Sequence, residues 1–174
     1  MNEEIKMWAN ILENTHIPRW EELPDIDLYL EQIIRYMESH IGGLFENHEK
    51  SITSAMINNY VKLKLIPKPI KKKYNKTHLA YLITITILKQ VLPIAEIRSA
   101  IIYQSNIIDR IDAYNLFCSE QEKSIAILLE NIKVAEQKKE LPIEAITAKM
   151  ATMAFATNFL ARKAIAIEKK DCKE

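Results

Sequence analysis

Residues 51–90, SITSAMINNYVKLKLIPKPIKKKYNKTHLAYLITITILKQ, decide how the chain is read. From Lys50 to Ala95 there are nine Lys, no Arg, and no Asp or Glu. Residues 1–49 carry three basic groups against eleven acidic ones, and residues 96–174 balance at twelve and twelve. A formal net charge of +1 therefore conceals a block of +9. Local charge, not the total, selects an electrostatic partner. A polyanion suits such a block, and duplex DNA is the first candidate.

Inside the block, Thr53 is placed to cap a helix running from Ser54 to about Lys64. The spacing lets Ala55, Met56, Tyr60 and Leu63 face inward, with Leu65 and Ile66 closing the end. Ser54, Asn58, Asn59, Lys62 and Lys64 are left to the other faces. Hydroxyls, amides and amines on an apolar-backed helix suit base edges and phosphates. The same residues also describe an ordinary solvated helix face.

IPKPIKKKYNK follows, from Ile66 to Lys76. Pro67 and Pro69 forbid helix and restrict any strand to an edge. Alternation turns Ile70 and Tyr74 inward and Lys71 and Lys73 outward, as in a small β-hairpin or extended wing. Lys68 and Lys71 to Lys73 would hold phosphates without reading sequence. Asn75 or Thr77 then caps a helix through Leu92. Its ITITI run alternates like a strand. Leu79, Leu82, Ile83 and the length of the apolar run favour helix. Pro93 interrupts it, and Ile94, Ile97, Ala100 and Ile101 begin a further short helix.

Upstream, Ile5, Trp8, Ile11 and Leu12 fall at helical spacing over 3–14. Trp20, between Pro18 and Pro24, is expected to pack on the domain as a clasp. Pro24-Asp25 opens a helix with an apolar stripe through Ile26, Tyr29, Leu30, Ile33, Ile34, Met37 and Ile41, ended or kinked at Gly42-Gly43.

Downstream, Ile107, Ile108, Ile111, Tyr114 and Phe117 suggest a helix that either stops or continues through Ile125, Leu128, Leu129 and Ile132 to Lys138. After Leu141-Pro142, Ile143, Ile146, Met150, Met153, Thr157, Leu160, Ala164 and Ile167 recur at steps of three and four. That is the pattern of a coiled-coil seam. It implies a dimerisation element, or a helical hairpin packed within the chain.

With 48% apolar residues the chain can bury a core, and with only Gly42 and Gly43 it has no glycine-rich phosphate loop. Cys118 and Cys172 stand far from metal-ligand spacing and read as reduced thiols. The acidic start MNEEIKMW is unlike a signal peptide. The longest apolar run, Leu79 to Leu88, is about half the roughly 20 residues of a spanning helix. A cytoplasmic protein is expected. His16, His40, His48 and His78 are scattered, and only His40 and His48, with Glu46 and Glu49, suggest even an adventitious metal site. No nucleophile motif or catalytic carboxylate pair stands out, so neither an enzyme nor a cofactor is expected.

The order helix, turn, helix, lysine-rich wing, helix, proline turn, short helix resembles the winged helix-turn-helix of the MerR superfamily. INNYVKLKLI (57–66) lies where that family's recognition-helix tract falls, and YNKTHLAYLITITILKQVLPIAEI (74–97) resembles the segment after its wing. The arginines common in that recognition helix are replaced by Ala55 and Asn58, and the wing is shorter. IPRWEELPDIDLYLEQI (17–33), MINNYVKLKLIPKPIKKKY (56–74) and HLAYLITITILKQVLPIAEI (78–97) also resemble, in that order, the bacterial family catalogued as domain of unknown function 1836.

The resemblance implies a mainly all-α fold. A MerR-like winged helix-turn-helix with a small β wing would occupy 1–104, and a C-terminal helical bundle or coiled coil 105–174. The expected role is a DNA-binding transcriptional regulator, a homodimer on double-stranded DNA. Its interface would comprise Ser54, Asn58, Asn59, Lys62, Lys64, Lys68, Lys71, Lys72, Lys73 and Tyr74. The alternative is a protein-interaction module that uses the same basic face without specific DNA binding.

Overall fold

The computed structural model describes residues 3–45, 51–137 and 143–171. Among them the chain is mainly helical, with one small antiparallel sheet. The first helix is α1 (Glu3–Glu13). A 3-10 turn (Trp20–Glu22), β1 (Leu28–Tyr29), α2 (Leu30–Ile41) and a second 3-10 turn (Gly42–Leu44) follow. Then come α3 (Ser54–Lys62), β2 (Lys73–Tyr74), α4 (Lys76–Leu88) and α5 (Ile94–Ile107). Two long helices, α6 (Arg110–Gln137) and α7 (Ile143–Asp171), complete the order.

The core is built around α4. Asn75 caps it by accepting the His78 amide at 3.3 Å. His78, Leu79, Ala80, Leu82, Ile83, Ile85 and Thr86 are all buried, because α2, α5, α6 and β2 surround the helix. A helix covered on every side needs no polar face. That is why its ITITI run carries β-branched residues in strand-like alternation and still folds as helix.

Helix α2 begins at Leu30, later than the sequence suggests. Leu28 and Tyr29 instead pair antiparallel with Tyr74 and Lys73, using backbone that a longer helix would consume. Ile26 and Tyr29, expected on the apolar stripe, are exposed. Ile33, Met37 and Ile41 carry the stripe, fully buried; each contributes on the order of 2 kcal/mol by leaving water. The sheet thus ties the entry to α2 to the far end of the lysine-rich loop.

Ser51 joins three helices. Its hydroxyl and its amide both donate to Glu38 Oε1 of α2, at 2.7 and 2.8 Å. Lys89, just past α4, donates to the Ser51 carbonyl at 3.1 Å. These bonds fix where α3 starts relative to α2 and α4.

The segment before β1 clasps α6. Trp20 meets Tyr114 edge-on, with ring centroids 6.4 Å apart, and its amide donates to Asn115 Oδ1 at 2.9 Å. Tyr114 Oη donates to the Pro18 carbonyl at 2.7 Å. Helix α6 is continuous, whereas Ile107 and Ile108 end α5 on an extended residue. Burial beside this clasp pushes the Cys118 thiol up to about 11, so it stays protonated.

Helix α7 packs on α5 and on the turn before it. Asn158 Nδ2 donates to the Val91 carbonyl at 2.5 Å, Arg162 bonds Glu96 at 2.9–3.1 Å, and Ile165 is buried. Among the described residues no helix is long and apolar enough to cross a membrane.

Candidate nucleic-acid interface

Helix α3 is seated by Thr53, whose Oγ1 accepts the Met56 amide at 3.3 Å. Ile57 and Tyr60 are buried and Val61 is half-buried, the i, i+3, i+4 set that fixes the inward face. Ala55 and Leu63, expected inside, are exposed instead. Ile57 was legible from its spacing to Tyr60. Ser54, Asn58, Asn59, Lys62 and Lys64 are all exposed, as the pattern requires.

The end of α3 is a Schellman motif. The Leu65 amide donates to the Tyr60 carbonyl at 2.9 Å and the Lys64 amide to the Val61 carbonyl at 3.0 Å. Leu65 and Tyr60 are both buried, supplying the apolar contact that accompanies such caps. The position between them requires left-handed backbone, normally glycine. Lys64 occupies it, with φ 56°.

The loop after Pro69 makes a tight reversal. Ile70 and Lys73 exchange two backbone hydrogen bonds, at 3.1 and 2.9 Å. Between them Lys71 and Lys72 have φ of 50° and 62°, positive at both central positions, as in a type I′ turn. Asn-Gly is the usual occupant of such a turn. Among the described residues the only non-glycine residues with positive φ are Lys64, Lys71 and Lys72. Holding a side chain there costs roughly 1–2 kcal/mol per residue.

The other expected residues divide. Lys68 is exposed. Lys73 is half-buried, its Nζ 5.2 Å from the centre of the Tyr29 ring. Tyr74 is only 4% exposed, paired with Leu28 and edge-on to His78. Its place is in the core, so it offers no surface to a ligand. Ile70, expected inward with Tyr74, is 70% exposed, because the reversal carries it to the outside.

Not every lysine of the block is available. Lys76 pairs with Asp25 at 2.5 Å and lies over Trp20, while Lys89 is turned to Ser51 and Met56. Lys62, Lys64, Lys68, Lys71, Lys72 and Lys73 have no carboxylate within 4.0 Å among the described residues. Among the described residues, Asp25 of the acidic N-terminal segment pairs with Lys76, and these six amines have no such carboxylate partner.

Elsewhere, among the described residues no three His, Cys, Asp or Glu side chains gather where a metal could bind. Glu46, His48 and Glu49, placed beside His40 by sequence, lie outside the described residues, as do Lys50 and Cys172.

Residues 18–117 match the family described as a domain of unknown function (DUF1836). No curated protein and no solved structure matches the chain.

Proposed function

The chain belongs to the DUF1836 family, whose description names no activity, and we propose from its own geometry that it is a DNA-binding regulator with a MerR-like winged helix-turn-helix. In this reading α2 and α3 are the helix-turn-helix, and the loop from Pro67 to Tyr74 is the wing. The order β1, α2, α3, β2, α4 supports it, with the wing strand closing back on Leu28–Tyr29. Ser54, Asn58 and Asn59 face base edges, and Lys62, Lys64, Lys68 and Lys71 to Lys73 hold phosphates.

One observation carries the reading. Three lysines occupy left-handed backbone positions where glycine or asparagine would relieve strain. Strain kept at such positions points to a use for the side chain. All three belong to the uncompensated basic surface, where an amine is useful and a glycine is not.

Helix α7 supplies the reason to expect a homodimer. Ile146, Met153, Leu160 and Ile167 recur every seven residues, with Met150, Thr157 and Ala164 between them. This seam lies away from Asn158, Arg162 and Ile165, which face α5. Met153, Leu160 and Ile167 are all about half or more exposed. A heptad seam of this length is the surface that a second helix of the same register covers, and two heads would address two half-sites.

A second reading has one observation in its favour: exposed Ile70, at the base of the basic reversal, suits a protein surface of mixed chemistry better than a phosphate backbone. Selection of genomic duplex fragments by the purified protein separates the two. A DNA regulator enriches some fragments and loses that preference with Asn58→Ala while keeping its salt dependence. A protein-interaction module enriches none, and loses its partner with Ile70→Asp.

A further inference from the structure

A cavity of about 300 Å³ opens between α4, α5 and α6, in the size range of small-molecule sites. It exists because each helix turns an alanine toward it: Ala80, Ala100 and Ala113. Leu88, Leu116 and Phe117 make apolar walls, while Thr77, Gln104 and Ser105 add a few uncharged polar groups. One charged residue lines it. Arg110, the first residue of α6, is exposed, and its guanidinium carbon lies 5.9 Å from the centre of the Tyr81 ring. No carboxylate lies within 4.0 Å of Arg110 among the described residues.

We infer that this cavity is a binding site for a small amphipathic carboxylate, its hydrocarbon among the three helices and its carboxylate on Arg110. A planar guanidinium held against an aromatic face is preorganised for two-pronged recognition of a carboxylate. The walls are too apolar for a sugar or a nucleotide, and a single cation is too little for a phosphate.

The site also has a route to the proposed interface, a consequence that rests on the DNA-binding reading. Tyr81, Ile101 and Ser105 line the cavity and, on their other side, a groove that contains Lys64 and Lys68. A ligand that spreads α4 from α5 moves the end of α3 and the start of the wing.

Calorimetric titration of the full chain with octanoate, in the absence of DNA, tests the site. Saturable binding is expected. Arg110→Gln should weaken octanoate roughly tenfold while leaving octanol unchanged. Ala113→Leu should abolish both. Arg98→Gln, in the groove but not in the cavity, should change neither, and thermal melts establish that each variant is folded. Absence of saturable heat at millimolar octanoate overturns the proposal, as does equal affinity in the folded Arg110→Gln protein. A change of oligomeric state in Ala113→Leu, without any carboxylate binding, would assign the cavity to a contact between copies instead. Octanoate that binds but leaves duplex affinity unaltered overturns the coupling alone.

Discussion

The Arg19 guanidinium and the Glu122 carboxylate, 103 residues apart, meet as a two-pronged ion pair that closes the N-terminal clasp onto α6. The Ile17 amide donates to the same carboxylate at 2.8 Å. Burial alone would raise the pKa of Glu122, but Arg19 and the Ile17 amide outweigh it and hold the group below the ordinary carboxylate value. The pair therefore stabilises the fold above that ordinary value, and the contribution is lost as pH falls through the lower folded one. Glu122→Gln should destabilise the chain by about 2 kcal/mol in urea unfolding near neutral pH. The difference from wild type should shrink below about pH 4. An unchanged midpoint at neutral pH would show that the clasp does not depend on the pair.

The strained lysines allow stability and function to be pulled apart. Lys64→Gly, Lys71→Gly and Lys72→Gly remove a side chain from left-handed backbone while adding freedom to the unfolded chain, two effects of opposite sign. Each variant should be as stable as wild type or more so, by up to about 1 kcal/mol. Each should also bind duplex DNA more weakly. Thermal melts beside a binding titration read both quantities. A variant that loses stability would show that the lysine serves the fold.

His78 makes stability depend on pH. Burial lowers its pKa, outweighing the opposite pull of the Lys68 and Pro67 backbone and of Asp27. The unfolded chain takes up a proton near the ordinary value of about 6.5, and the folded chain only at lower pH. Stability should thus be level above that value and decline as pH falls from it toward the folded pKa. Urea midpoints measured from neutral to mildly acid pH follow the decline, and His78→Gln should reduce it. A decline of equal size in the variant would assign it to another group.

The seam on α7 gives a prediction about assembly. Leu160 is exposed in the single chain, so Leu160→Glu should leave the 18–117 core stable but convert a dimer to a monomer in sedimentation. Ala166→Glu, exposed and outside the seam, is the control. A wild-type chain that sediments as a monomer at high concentration would remove the dimer from the account.

The fold was legible where local chemistry is specific. Thr53 and Asn75 cap their helices, Pro93 precedes the start of α5, and the step of three and four identifies α7, although α4 stops at Leu88 rather than running through Leu92. What escaped the sequence depended on distant partners. Leu28 and Tyr29 look like helix until Tyr74 and Lys73 arrive to pair with them. The same pairing buries Tyr74, as its alternation with the lysines implies, and so removes it from the expected DNA interface. The positive φ of Lys71 and Lys72 was equally hidden, because a Lys-Lys turn has no Asn-Gly signal. Arg110 and the cavity had no motif at all, since their neighbours come from three helices.

Whether these lysines hold phosphates is read from the salt dependence of duplex binding, measured by fluorescence anisotropy for the wild type and for the Lys64/Lys71/Lys72→Gly variant. With about six phosphates neutralised per head, the log–log slope should be near −5 for the wild type. Removing three amines should reduce it to about −3. Equal slopes, or binding indifferent to salt, would contradict a phosphate-holding role for the lysines and with it the proposed function.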